Sequence, residues 1–284
     1  MSIESGGPQT DSGLADALRR LRKSAGLSGE RLAVRCSMSQ AKISRIERGK
    51  TLPSVVDVER ILRALDVPAD AARELIGLAR QANVQHTSWR AVAELGLWRK
   101  QLELKALSES CTEQRLFLPT MPSGLLQVPE YAREALTPRL RGDPARNVEK
   151  AVRARLDRQA VLDDQDRKFS FLMTEHAVRW KYASRAVMAR QCEHMEELSR
   201  RPNVDIAIVP KSARVPNAPL NTFVVYDDRL VIAELFSGEV VLRDYKDVAY
   251  HLEIFDFFYG HALTGEQARS LLRAVRDEFM WVRD

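Results

Sequence analysis

These 284 residues lack most of the features that place a chain in a membrane, in a secretory route or among the common enzyme classes. Hydrophobic runs are short. Val204 to Pro210 and Leu230 to Phe236 are broken by charges and turn residues long before the roughly 20 apolar residues that a bilayer requires, so no membrane association is expected. Met1 to Ser12 has neither a basic start nor an apolar stretch, and its Ser and Gly content reads as a loose tail and not as a secretory signal. The three cysteines, Cys36, Cys111 and Cys192, are odd in number and far apart. They form no disulfide framework and match no zinc spacing, which suits the cytoplasm.

Catalytic patterns are equally scarce. There is no G-x-S-x-G elbow, no P-loop, no H-E-x-x-H and no paired Cys-x-x-Cys. Cys192-Glu-His194 offers two metal-ligating types with no second pair, and Asp163-Asp-Gln-Asp166 lacks the glycine and terminal glutamate of a calcium loop and reads as an acidic turn ending a helix. His176 and His251 are expected in partly buried polar niches. The expectation is therefore a protein with no metal, no cofactor and no enzymatic activity.

What the sequence does have is an uneven charge distribution. The formal net charge is +5, yet Gly13 to Leu65 alone carries twelve Lys and Arg against five Asp and Glu, a net of +7 that leaves −2 for the rest. A basic excess confined to one short helical region is the footprint of a polyanion-binding module.

That region has helical periodicity. Leu14, Leu18 and Leu21 share a face, and Gly26 stops the helix. Ser28 caps a second helix through Leu32 and Ala33 to Cys36. Ser37 and Met38 turn, and Ser39 caps a third helix to Arg48 before Gly49. Ser54, three residues before Asp57, sets up a capping box for a fourth helix with Val58, Ile61, Leu62 and Leu65 on one face. A fifth is expected from near Pro68, carrying Leu75, Ile76 and Leu78. Within this run Ala33 is small enough for two helices to cross, and Leu32, Cys36, Met38, Ile43 and Ile46 fall where a helix-turn-helix buries side chains.

The stretch Met38-Ser-Gln-Ala-Lys-Ile-Ser-Arg-Ile-Glu-Arg-Gly-Lys50 resembles the recognition segment of phage-repressor-like (Xre-type) regulators. Ser37 stands where that family commonly has Gly, which demands a positive φ from a non-Gly residue. Gly29 stands where the family often has a Gln that helps to hold phosphate. With the N-terminal end of the third helix in the major groove of double-stranded DNA, Gln40, Ala41 and Arg45 point outward as base readers: Gln suits adenine, Arg suits guanine, and the Ala methyl can touch thymine. Ser39, Lys42, Arg48 and Lys50 are assigned to phosphate. Glu47, which DNA would repel, is expected to bond within the domain.

Beyond Val84 the composition shifts, and 84–96 reads as a linker between a DNA-binding domain over 13–83 and a second domain over 97–284. A helix is expected from Leu97 to Cys111, another from Asp143 and Pro144 to Leu162, a third from Ser184 to Leu198, and two more at Asp247 to Ala262 and Gly265 to Phe279. Strands are expected at Phe169 to Thr174, Val204 to Ile208, Thr222 to Tyr226, Leu230 to Leu235 and Glu239 to Leu242. The fold class is thus a helical helix-turn-helix domain of four to five helices, then an α+β domain with a mixed or antiparallel sheet flanked by helices.

The segment Pro122-Ser-Gly-Leu-Leu-Gln-Val-Pro-Glu-Tyr-Ala-Arg133 resembles the P-G-L-L-Q-T-x-x-Y-A-R signature of a domain that follows Xre-type modules in actinobacterial regulators of the WhiJ class, with Ser123 inserted and Val128 for Thr. Arg155-Leu-Asp-Arg-Gln-Ala-Val-Leu162 and Arg200-Arg-Pro-Asn-Val-Asp-Ile-Ala-Ile-Val-Pro210 are further matches. The resemblance implies a small partner protein encoded nearby, and it leaves an antitoxin-like role open beside that of a transcription regulator. Gly124, Leu125, Leu126, Gln127 and Tyr131 are assigned to structure or to partner contact. The strand-helix-strand order between Phe169 and Pro210 resembles half of a phospholipase-D-like fold, without its H-x-K motif. Because one helix-turn-helix reads only a few base pairs, a homodimer is expected. The helices carrying Leu97, Leu104, Leu107, Leu271, Leu272 and Phe279 are the candidates for its interface, with completion of the core as the equal alternative.

Overall fold

The computed structural model describes residues 9–139 and 147–281, and the chain divides into two units: residues up to Gln85 with Val241–Tyr245, and the remainder. The first unit contains five helices, α1 (Gln9–Ser24), α2 (Gly29–Cys36), α3 (Gln40–Glu47), α4 (Val55–Ala64) and α5 (Ala69–Asn83). Their starts follow the expected caps. The side chains of Ser28 and Ser39 accept from the N–H groups of Arg31 and Lys42, each at 3.2 Å. Ser54 and Asp57 form the full capping box, Asp57 N–H to Ser54 Oγ at 3.1 Å and Ser54 N–H to Asp57 Oδ2 at 3.2 Å. Leu14, Leu18, Leu32, Ala33, Cys36, Ile43, Ile46, Val58, Ile61, Leu62 and Ala79 close one core. The short segment Val241–Tyr245 belongs to this unit: Asp244 accepts from the Val55 N–H at 3.2 Å, and the Arg243 N–H donates to the Asn83 carbonyl at 3.1 Å.

The segment expected to be a linker is structured: it forms β1 (Val84–Ser88) and α6 (Trp89–Leu95). Ser88 ends the strand and caps the helix by accepting from the Arg90 N–H at 3.3 Å. Then come α7 (Leu97–Glu109), β2 (Glu113–Leu118), α8 (Pro129–Leu136) and α9 (Val148–Gln159), which tightens into a 3-10 turn at Ala160–Asp163. The expected helix start at Asp143 and Pro144 lies outside the described residues. Strand β3 (Lys168–Thr174), α10 (Glu175–Arg179), α11 (Arg185–Leu198), β4 (Val204–Val209), β5 (Phe223–Tyr226), β6 (Leu230–Leu235), β7 (Gly238–Leu242), α12 (Tyr245–Tyr259) and α13 (Gly265–Trp281) complete the order.

One seven-stranded mixed sheet results, in the order β1-β7-β6-β5-β2-β3-β4. Strand β2, which has no clear alternating signal in the sequence, lies near its middle. It runs parallel to β3, pairing Leu116 with Phe171, and antiparallel to β5, pairing Leu116 with Val224. β3 and β4 are parallel, and β5 and β6 are antiparallel. At the edge Gly238 is obligatory, because a Cβ there would sit 2.2 Å from the Thr87 carbonyl oxygen.

Alternation along the strands divides the sheet into two faces. On one, Leu116, Leu118, Phe169, Phe171, Met173, Ile206 and Ile208 form the main core with α11 and α13. On the other, Phe117 packs against Phe223 and Phe258, with ring centroids 5.2 and 4.8 Å away and the rings tilted by 34°. Of the residues offered to a dimer interface, Leu272 and Phe279 are buried in the main core and Leu271 packs against it, while Leu97 packs beside Leu136 and Val152. Leu272 and Phe279 thus serve the domain's own core, while Leu97 and Leu271 stay partly exposed.

Candidate nucleic-acid interface

The α2–α3 turn has the conformation its sequence demands. Ser37 takes φ 53° and ψ 46°, the left-handed region expected where a relative carries Gly. The Met38 N–H donates to the Ala33 carbonyl at 2.9 Å, so α2 closes as α3 begins. Ile43 and Ile46 are buried. Helical geometry therefore turns Gln40, Ala41 and Arg45 outward, and all three are exposed.

Two ion pairs fix α3 from its two ends. Arg22 on α1 grips Glu47 in fork geometry, Nε to Oε1 at 2.6 Å and Nη2 to Oε2 at 2.7 Å. The pair raises the pKa of Arg22, its hydrogen bond to Glu47 outweighing partial burial. Glu47 thus bonds inside the domain, as its charge required. At the other end the Lys42 ammonium meets Asp57 at 2.8 Å. Asp57 also closes the α4 capping box, so one carboxylate ties α3 to α4.

Lys42, expected on phosphate, thus has an intramolecular partner: spacing marks Asp57 as the capping-box partner of Ser54, but its reach to α3 depends on the packing of α3 against α4. Arg48 is exposed, and its guanidinium folds back on Ser44, Nε to the carbonyl at 3.0 Å and Nη2 to Oγ at 2.6 Å. Ser39 is exposed, and its hydroxyl keeps a donor proton while capping α3. Arg45 and Lys50 are exposed and form no ion pair among the described residues. The exposed side of α3 thus combines the Arg45 guanidinium with a neutral amide and a methyl, with Lys50 just past the helix end, on a helix held from behind.

The residues of the second motif lie elsewhere. Leu125, Leu126 and Tyr131 are buried in the main core of the α+β unit, with Tyr131 stacked on Tyr182 at 5.5 Å. Gln127 is buried. Its amide nitrogen donates to the Pro122 carbonyl at 2.8 Å, and its oxygen accepts from Arg155 Nη1 at 2.7 Å. Gln159 ties the same segment down, Nε2 donating to the carbonyls of Gly124 at 3.0 Å and Gln127 at 2.7 Å. Gly124 lies so near that a Cβ would come 2.8 Å from Arg158 Nη2 and 3.1 Å from Arg155 Nε. Two segments that the sequence marked separately, 122–133 and 155–162, are therefore one structural unit.

No group of three or more His, Cys, Asp or Glu among the described residues could hold a metal. Cys192 is buried in the main core, and burial pushes its thiol up to about 12. His176, expected in a partly buried niche, is exposed instead, on the short helix α10 with its ring 5.1 Å from Trp180. His251 is half-buried, Nδ1 2.7 Å from the Asp247 carbonyl oxygen. No helix of the described residues is long and apolar enough to cross a membrane.

A helix-turn-helix unit with a solvent-facing α3, followed by an α+β domain, defines the class of protein. Residues 14–75 match the model of a family described as helix-turn-helix domain, which supports a DNA-binding regulator. Residues 101–274 match the model described as domain of unknown function (DUF5753), and the chain belongs to that family. No curated protein matches the sequence. Among solved structures, one described as TrmBL2, an archaeal chromatin protein with a novel mode of DNA binding, aligns over 73% of this chain and 66% of its own, just under two thirds, at 15% identity and a TM-score of 0.33. NucT from Helicobacter pylori aligns over 64% of this chain and 98% of its own at 10% identity and a TM-score of 0.37.

Proposed function

We propose that the chain is a sequence-specific DNA-binding transcription regulator that reads its operator with α3. The observation that carries this is the rigid mounting of α3: buried Ile43 and Ile46 and the Arg22–Glu47 and Lys42–Asp57 pairs hold it from behind, while Gln40, Ala41 and Arg45 face solvent. A helix fixed in this way enters the major groove with its rotation about its own axis already set. Arg45 pairs with a guanine edge, Gln40 with an adenine edge, and Ala41 packs on a thymine methyl. Lys50, Arg48 and the Ser39 hydroxyl contact phosphate and fix register. Lys42, with its ammonium on Asp57, is reassigned chiefly to holding α3 against α4.

The apolar residues of the helical unit close their own core, so the self-association needed for a two-half-site operator is assigned to the α+β domain, as is the binding of a partner protein or signal. Such a regulator works in the cytoplasm, where its DNA is. Footprinting on the DNA upstream of its own gene tests the reading. Protection of two half-sites about one helical turn apart is expected, with protection relaxed at one base pair per half-site by Arg45→Ala. Protection that is sequence-blind, or unaltered in its base preference by Arg45→Ala, refutes it.

A further inference from the structure

The antiparallel half of the sheet carries polar residues where a core normally has leucine. On the face that holds the main core, the inward positions of β2, β5, β6 and β7 include Gln114, Tyr226, Glu234 and Glu239, and α7 and α9 add Lys100, Gln101, Arg155 and Arg158 above them. These side chains surround a cavity of about 300 Å³ within the α+β unit, and Leu104, Leu116, Leu125, Val224 and Ile232 complete its wall. The volume is that of a small-molecule site and not of a packing defect.

Its polar groups satisfy one another only in part. Gln101 Oε1, Gln114 Nε2, Arg155 Nε and Arg158 Nε are buried with no hydrogen-bond partner in the protein, and Gln101, Gln114 and Arg158 are only 4%, 1% and 8% exposed. Native interiors pair nearly all such atoms, and each one left over costs free energy. Four of them around one cavity indicate groups reserved for something that enters it.

The charges state what enters. Lys100 and Glu239 are buried and paired with each other. Arg155 has only the neutral Gln127 oxygen at 2.7 Å, and neither it nor Arg158 forms an ion pair among the described residues. Burial lowers the pKa of both, that of Arg155 to about 10 with Arg158 adding to the effect, and a guanidinium keeps its proton at neutral pH. The one remaining carboxylate, Glu234, lines the cavity and stays exposed, and desolvation raises its pKa. Two guanidiniums against one carboxylate leave a single uncompensated positive charge at the cavity.

We infer that this cavity binds a small organic carboxylate with an apolar body, its anion held by Arg155 and Arg158 and the rest of it lying on Leu116, Val224 and Ile232. Guanidiniums suit a carboxylate because their fork geometry matches its two oxygens. Gln101 and Gln114 supply one acceptor and one donor for a further polar group of the ligand. The 122–127 segment forms one wall, with the Gly124 backbone against both arginines. The inference does not rest on the DNA-binding reading, and its test uses no DNA.

Calorimetric titration of the full-length protein with benzoate and octanoate, each beside the alcohol and the amine of the same carbon skeleton, decides it. Saturable one-to-one binding of at least one acid is expected, with its alcohol and amine at least about tenfold weaker, as loss of a charge-assisted pair implies. Arg158→Met is expected to weaken the acid by about tenfold or more. Because that variant could fail through misfolding, Glu234→Gln supplies the opposite sign: removing the competing carboxylate should tighten acid binding several-fold, a gain that damage to the fold does not produce. Failure of both acids to saturate at their solubility limit, equal binding of the alcohols, or unchanged or weaker acid binding in Glu234→Gln overturns the proposal.

Discussion

Replacing Glu47 by Ala removes the carboxylate that receives Arg22 through two hydrogen bonds at 2.6 and 2.7 Å. The two side chains are 14% and 10% exposed, so water replaces the lost partner poorly, and Arg22 keeps only its bond to the Leu27 carbonyl at 2.7 Å. Exposed pairs contribute about 0.2–1 kcal/mol, whereas stripping one partner from a fully buried pair costs about 3–5 kcal/mol. A largely buried fork pair with a residual acceptor for the arginine belongs between these limits, at about 2 kcal/mol. The loss falls on the C-terminal end of α3, and hydrogen exchange reads it there: protection of the α3 amides should drop by about 30-fold, the ratio that 2 kcal/mol represents. The double replacement Arg22→Met/Glu47→Met should cost less than the two single changes together, because it leaves no buried charge behind. Unchanged protection in α3, or single effects that simply add, would refute the role of this pair as the clamp on the recognition helix.

Further outcomes follow from other parts of the molecule. Arg45→Ala should cost about 1–3 kcal/mol of discrimination at one operator position, whereas Lys50→Ala should weaken all sequences alike and flatten the salt dependence; competition binding across single-base operator variants separates the two, and a sequence-selective loss in Lys50→Ala contradicts its phosphate role. Cys36, Cys111 and Cys192 are buried, and burial raises each thiol pKa, so a thiol reagent at pH 8 should find no reactive cysteine in the native protein and all three after denaturation; rapid native labelling contradicts the packing. Gly238→Ala should cost about 3 kcal/mol or more in a melt, because the new Cβ meets the Thr87 carbonyl and the Ser88 Cα, which are backbone and cannot swing away; a neutral change means that β1 does not lie against β7 as described. The hydrogen bonds from Arg273 and Arg269 hold Glu266 down to about 2. A depressed carboxylate stabilises the fold above the ordinary carboxylate range and loses that contribution as pH falls toward 2, so the thermal midpoints of wild type and Glu266→Gln should converge on acidification and with added salt; a gap that widens at low pH has the wrong sign.

The recognition unit was legible because local rules govern it. Caps at Ser28, Ser39 and Ser54, the crossing residue Ala33 and the left-handed Ser37 are each set by neighbours within four residues, so sequence spacing alone placed α2, α3 and α4 and the exposure of Gln40, Ala41 and Arg45. The alternating strands β3 to β6 and the helices α11 to α13 were readable for the same reason. Other features depended on contacts distant in sequence. β2 was passed over because its Glu-Gln-Arg start does not look apolar. Its central position comes from pairing with β3 and β5, more than fifty and more than a hundred residues away. The 84–96 segment looked like a linker because its strand is completed by hydrogen bonding to β7, at the far end of the chain. Lys42 read as a phosphate contact until Asp57, fifteen residues on, claimed it. Gln101, Gln114, Arg155, Arg158 and Glu234 look in sequence like surface residues of amphipathic elements. Only the closing of α7, α9 and the 122–127 segment over the antiparallel half of the sheet gathers them around one cavity, because no local rule can state which charged face meets which.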